Sequence, residues 1–162
     1  MSKFTVLIIE NDLKLKESMM TTVQKMDHKA LACSRMGEAI QLLSEMKKAP
    51  VFVLAKMHMP DMTGVDFLKQ ARLKNFKISV CFYAYQIERT ELISALQYGA
   101  LDVVRAPLSS DFFKTKLPML LQISSGLGSN FKSNTTPSEV FNQAEQKMAE
   151  FQKTQNPIKN VG

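Results

Sequence analysis

The sequence predicts an α/β fold, a five-stranded parallel sheet with helices on both faces. Three observations predict it. Short continuous apolar runs recur up to residue 123, segments of helical period separate them, and polar residues close each run. Strands buried on both faces read as unbroken apolar stretches, and alternation with helices is the mark of parallel crossovers. At 162 residues the chain has room for one ordinary domain and a tail.

The elements follow in order. Val6-Leu7-Ile8-Ile9 is the first strand, closed by Glu10-Asn11-Asp12. Leu15, Met19, Val23 and Met26 then recur at helical spacing. Lys29 to Ser34 is a weaker strand; Met36, Ala39, Ile40, Leu43 and Met46 repeat the helical period, with Pro50 past its end. Val51 to Ala55 is a strand, Lys56 to Gly64 a polar loop, and Val65 to Leu73 a helix with Phe67, Leu68 and Ala71 inward. Ile78 to Tyr85 is a strong strand, Arg89 to Tyr98 a helix, and Asp102 to Val104 a short strand before Ala106-Pro107. The last helix of this body begins near Ser110, and Pro118 is expected to bend it.

Residues 1–123 thus form one domain, and residues 124–162 a polar linker with a possible short helix. Ser124 to Asn130 has a linker composition. Ser138 to Lys153 fits a helix capped by Ser138, with Val140, Phe141, Ala144, Met148 and Phe151 on one side. Alone it is marginal, so it needs this domain or another chain to pack against.

Composition excludes several classes. Apolar residues at 45% and charged residues at 22% are those of a folded chain. The longest apolar run, Val80 to Tyr85, is six residues, where a membrane span needs about 20. Glu10 and Asp12 fall where a secretory signal would be apolar. Cys33 and Cys81 make neither a disulfide framework nor a metal pair, and read as reduced thiols inside a cell. The net charge of +6 is spread along the chain, with Lys69, Arg72, Lys74 and Lys77 its densest set and no Trp, so direct nucleic-acid binding is not expected.

In an open parallel sheet a site forms outside the carboxyl ends of the strands. Glu10, Asn11 and Asp12, then Lys56, Tyr83, and Arg105-Ala106-Pro107 fall there. The runs Ile8 to Asp12, His58-Met59-Pro60-Asp61-Met62-Thr63-Gly64, and Gly99-Ala100 through Pro107 together resemble response-regulator receiver domains, over roughly residues 4–123. The His58 to Gly64 stretch is most similar to plant receivers. The resemblance implies a flavodoxin-like sheet of strand order 2-1-3-4-5. It also implies a Mg²⁺ held by acidic residues after strand one and a phosphoacceptor aspartate four residues before the loop proline. Here that acceptor position is Lys56, the metal-binding positions are Glu10 and Asn11, and the phosphoryl-contacting Thr or Ser is Tyr83. The switch aromatic becomes Val103, and the lysine before the final proline becomes Ala106.

These replacements remove the reaction. An ammonium cannot form an acyl phosphate, and a cation at Lys56 opposes Mg²⁺. Lys56 is expected either to pair with Glu10 or Asp12, or to reach into solvent. Tyr83 either fills the pocket or is an ordinary core tyrosine. Asp61, on the outer part of the loop, is a poor substitute acceptor, and His58 has no ligand partner at metal spacing.

The expected function is that of a degenerate receiver similar to plant pseudo-response regulators: a non-catalytic module of phosphorelay signalling, without cofactor, located in the nucleus or cytoplasm. Its expected partners are histidine-containing phosphotransfer proteins or other receivers, met through Arg89, Glu91, Gln97, Tyr98, Asp102, Lys114 and Lys116, read as exposed. The alternative is a small enzyme binding a phosphate-bearing ligand at the sheet's carboxyl edge, although the strand-one loop lacks glycine. The 39 residues after Ile123 are too few for a linker and a DNA-binding module, so any role in transcription would run through a partner.

Overall fold

The computed structural model describes residues 4–46, 51–127 and 136–154. Its elements are β1 (Thr5–Ile9), α1 (Leu13–Lys25), β2 (Lys29–Cys33), α2 (Met36–Glu45), β3 (Val51–Lys56), α3 (Gly64–Leu73), β4 (Ile78–Ala84), α4 (Arg89–Gln97), β5 (Asp102–Arg105), α5 (Leu117–Leu127) and α6 (Pro137–Thr154). The five strands pair in parallel in the order β2-β1-β3-β4-β5, the order expected from the resemblance. Ile9 lies beside Ala55, and Lys56 beside Tyr83, so β1, β3 and β4 end at one edge of the sheet.

Side chains alternate across a strand, so each apolar run feeds two cores at once. Leu7, Ile9, Val53, Ala55, Val80 and Phe82 face α2, α3 and α4. Val6, Ile8, Phe52, Leu54, Cys81 and Tyr83 face the other way, against Met19 and Val23 of α1 and Leu117, Leu120 and Leu121 of α5. The buried hydroxyl of Ser79 in β4 is paired with Ser124 of α5 at 2.9 Å.

Helix starts are set by local polar chemistry. Asp12 accepts from the Leu15 N–H to cap α1, Thr63 caps α3 through the Asp66 N–H, and Glu88 with Glu91 forms a reciprocal box at α4. Helix α6 is capped by Thr136 rather than Ser138. The Thr136 Oγ1 accepts from the Glu139 N–H while Glu139 accepts from the Thr136 N–H. Pro137 takes the first helical position, where a missing N–H costs nothing. Before α5 the chain forms a π-helical turn, Phe112–Lys116, closed by the Leu117 N–H donating to the Phe112 carbonyl. It accommodates Pro118, which lacks the N–H that a regular α-turn would use.

The amphipathic tail helix finds its partner in this domain. Val140, Ala144 and Phe151 are buried in the same apolar cluster as Leu92, Ala95 and Leu96 of α4 and Val103 of β5. Glu145 pairs with Arg89, whose guanidinium also lies 4.7 Å from the centre of the Phe141 ring. Lys147 reaches Asp102 at 2.5 Å, and Lys116 reaches the same carboxylate at 2.7 Å. Asp102 is therefore not the exposed charge expected from sequence; it is 5% exposed. Ser124 to Leu127 also differ from expectation, being the last turn of α5 rather than linker. Gly128 to Asn130 and Pro50 lie outside the described residues.

Two outcomes follow from this packing. An added Cβ at Gly64 would come within 2.6 Å of both Met57 Sδ and Phe82 Cε1. Gly64→Ala should therefore cost about 1–3 kcal/mol in denaturant unfolding. Gly37→Ala, whose Cβ would meet only Asp61 Oδ2 at 3.5 Å, should leave stability unchanged or raise it by up to about 1 kcal/mol. Burial alone would raise the Asp102 pKa, but the hydrogen bonds and charges of Lys116 and Lys147 prevail and hold it below the usual range. With the folded value depressed, its contribution is complete above the unfolded pKa near ~3.9 and is lost as pH falls through the folded value. Below about pH 4 the melting temperature should thus fall with decreasing pH more steeply in the wild type than in Asp102→Asn.

Candidate functional site

The edge where β1, β3 and β4 end gathers Glu10, Lys56 and Tyr83. Glu10 follows β1 and has no exposed surface. Its backbone N–H continues the sheet by donating to the Cys33 carbonyl at 3.1 Å, which fixes the side chain over the strand ends. One carboxylate oxygen accepts from the Tyr83 hydroxyl at 2.9 Å, and the other accepts from the Asp12 N–H at 2.9 Å. The Lys56 ammonium lies 3.7 Å from that second oxygen and donates to Asn11 Oδ1 at 3.2 Å. Of the two carboxylates open to Lys56 in the sequence, the structure therefore selects Glu10. Asp12 is committed to the N-terminus of α1, where its Oδ1 takes the Leu15 N–H.

Tyr83 does both things the sequence allowed. Its ring is part of the core shared with α1 and α5, and its hydroxyl reaches the pocket. Burial first, then the charge and hydrogen bond of Glu10, push its pKa well above the ordinary tyrosine value, so the hydroxyl stays a donor. Ala106 is buried beside it and Val103 is fully buried. Arg105 departs from the pocket, donating from Nη1 to the Phe151 carbonyl at 2.9 Å.

This set does not fit a divalent cation. Both Glu10 oxygens already accept hydrogen bonds, the Asn11 oxygen is taken by Lys56, and a fixed ammonium stands where the metal's charge would lie. Among the described residues no three His, Cys, Asp or Glu side chains gather closely enough to hold a metal. Nor does the start of α1 offer an anion site, because Asp12 of the same chain occupies its first turn.

An open cleft of about 500 Å³ borders the pocket, lined by Lys56, His58, Tyr85, Glu88, Glu91 and Ala106. His58 Nε2 meets Glu91 Oε2 at 2.9 Å, joining the β3–α3 loop to the first turn of α4. Asp61 is likewise a loop-to-helix tie, accepting from the Met36 and Gly37 N–H groups at 3.2 and 2.9 Å. Neither contact was visible in the sequence, since each joins residues more than twenty positions apart with no motif to relate them. Burial works against ionisation of Asp61, but the backbone donors outweigh it and lower its pKa.

The residues expected to form a contact face separate into two groups. Gln97, Tyr98 and Lys114 are exposed, with Lys69 5.5 Å from the centre of the Tyr98 ring. Arg89 is exposed as well but is paired with Glu145 and Phe141, while Glu91 is engaged by His58 and Lys116 by Asp102. Helix α6 is thus seated on part of the face the sequence had left open.

The comparisons with known proteins follow this geometry. A family model, the response regulator receiver domain, matches residues 6–117. The two-component response regulator ARR14 of Arabidopsis thaliana is 23% identical over 113 residues, covering 70% of this chain and 30% of that protein. The transcriptional regulatory protein CitT of Halalkalibacterium halodurans is 26% identical over 121 residues, covering 74% of this chain and 53% of that one. The chain therefore spans roughly a third to a half of the length of these curated relatives. Among solved structures, the CheY-like receiver domain protein of Methanospirillum hungatei superposes with a TM-score of 0.68 at 17% identity, over 77% of this chain and 99% of that one. The chemotaxis response regulator CheY4 of Vibrio cholerae gives 0.64 at 16% identity, over 74% and 99%. With the sheet order, the three loop motifs and a family match across most of its length, this chain belongs to the response regulator receiver domains of two-component signalling.

Proposed function

We propose that this chain is a pseudo-receiver: a non-catalytic module that acts in two-component signalling by protein contact and takes no phosphoryl group at position 56. The observation that carries the reading is the Lys56 ammonium 3.7 Å from a fully buried Glu10. A receiver's reaction needs a carboxylate nucleophile at that point, and an ammonium has neither the lone pair at neutral pH nor the oxygen to form an acyl phosphate. The pocket holds a permanent positive charge in place of a cation that comes and goes. The likeness of the loop to plant receivers and the match to the Arabidopsis response regulator support a plant-type role, and the match to CitT, a transcriptional regulatory protein by name, supports one in transcription control.

In this reading the pseudo-receiver body runs through the last turn of α5 at Leu127, and α6 is an appended helix. The partners are histidine-containing phosphotransfer proteins or other receiver domains, inside the cell, in nucleus or cytoplasm. Gln97, Tyr98 and Lys114 are the contact residues left open to them, since they remain exposed in the folded chain.

The test is incubation with a small acyl phosphate and Mg²⁺, read by intact mass, beside a Lys56→Asp variant. The wild type should gain no phosphoryl increment and show no saturable Mg²⁺ binding. Lys56→Asp, which removes the fixed cation and adds an oxygen donor, should show saturable Mg²⁺ binding where the wild type shows none. A stoichiometric adduct on the wild type would overturn the reading, and peptide mapping would show whether Asp61, Asp12 or Glu10 had taken the group.

A further inference from the structure

Helix α6 meets the domain with three kinds of contact that specify one another. Its apolar positions Val140, Ala144 and Phe151 are buried, and Ala144, with no exposed surface, lets the helix approach α4 closely. Its charges are set in two opposite senses, with Glu145 against Arg89 and, two residues on, Lys147 against Asp102. A helix laid in the reverse direction, or slipped by a turn, would lose both pairs or set like charges together. Near its end the Phe151 carbonyl accepts from Arg105 at 2.9 Å, which satisfies a helix terminus from the domain itself. The family match ends at residue 117, before α6 begins.

We propose that α6 is a built-in occupant of the α4–β5 face, docked within its own chain, and that this face is a receptor for an amphipathic helix of that same pattern. The pattern is apolar or small residues at the Val140, Ala144 and Phe151 positions, a carboxylate at the Glu145 position and a cation at the Lys147 position. A partner helix must therefore displace α6 before it can bind. The segment joining α5 to α6 is eight residues, 128–135. A connection that short gives α6 an effective concentration of about millimolar, so an external helix of equal intrinsic affinity competes poorly until α6 is released. The docking of α6 does not depend on the chain being a pseudo-receiver. Only the identification of the face as a partner surface rests on that reading.

The experiment uses the full chain and two variants, Ala144→Glu and Lys147→Glu, followed by hydrogen exchange and by titration with a synthetic peptide of residues 136–154. In the wild type, α6 and α4 amides should be protected, and that protection should not change across a hundredfold range of protein concentration. Both variants should lose α6 protection by about tenfold or more while β1 and β3 stay protected, which shows the domain intact. The peptide should bind Ala144→Glu at least about tenfold more tightly than wild type and restore protection of α4. Unprotected α6 amides in the wild type would overturn the proposal. Protection that rises with protein concentration would do so as well, because it would make the occupant a second copy of the chain. Equal peptide affinity for wild type and variant would remove the claim of occlusion. A phosphoryl adduct in the acyl-phosphate assay would leave all three readouts untouched, so the two readings fail separately.

Discussion

Glu10 carries its carboxylate with no exposed surface, directly after a strand whose last four residues are buried and apolar. Removing a charge from water costs several kcal/mol or more unless the protein supplies an opposite charge and hydrogen bonds. Here the supply comes from three directions: a phenol from β4, an ammonium from β3 and a backbone N–H from the turn after β1. Each donor is in place only because the strands run in parallel and in one register, with Lys56 beside Tyr83 and Ile9 beside Ala55. The arrangement is mutually dependent. Removing any one partner would leave a buried charge or hydroxyl short of compensation, and that dependence ties the sheet's carboxyl edge to its core.

Much of this was legible in the sequence because the signals were either periodic or set by a fixed offset. The strands β3 and β4 are continuous apolar runs, and continuity is what burial on both faces requires. The exchange of an aspartate for Lys56 could be seen by counting back from Pro60, and its chemical consequence needs no coordinates. What escaped was contact between distant segments. Asp102 reads as a surface charge on a short strand, and only the arrival of Lys147 from α6 and Lys116 from the turn before α5 explains how it can be buried. The amphipathic pattern of α6 marked Val140, Ala144 and Phe151 correctly as needing cover but included Phe141, which is 48% exposed, and it carried no information on what would cover them. Its cap was misplaced by two residues because Ser138 and Thr136 are both good capping residues, and the choice is made by Pro137, which belongs inside the first turn.

The carboxyl edge of the sheet and the side formed by α4 and β5 carry different kinds of contact. At the carboxyl edge, charge is fixed and hydrogen bonds are saturated, so the pocket has little left to respond with. Across α4 and β5 the contacts are an ion pair between half-exposed side chains, a guanidinium over a ring, and three apolar residues of a separate helix. Half-exposed ion pairs contribute modestly to stability, and most of what holds α6 in place comes from its apolar positions and from the buried Asp102. His58 and Glu91 connect the two regions directly, since the loop that follows Lys56 is joined through them to the first turn of α4.

The π-helical turn at Phe112–Lys116 has a consequence for how the last body helix is read and how it can change. Phe112 and Leu117 are both buried in the same core, as are Leu120 and Leu121, yet the first two are five residues apart. In a regular α-helix of 3.6 residues per turn, that spacing carries the second side chain well past the first. A turn closed between residues five apart absorbs the excess, so Phe112 and Leu117 present one continuous apolar side with Leu120 and Leu121. The last body helix is therefore a single wide turn that sets the angular phase of the regular helix α5 after it. A one-residue insertion or deletion after Leu117 would have no such correction and would rotate the remainder of α5 off the sheet.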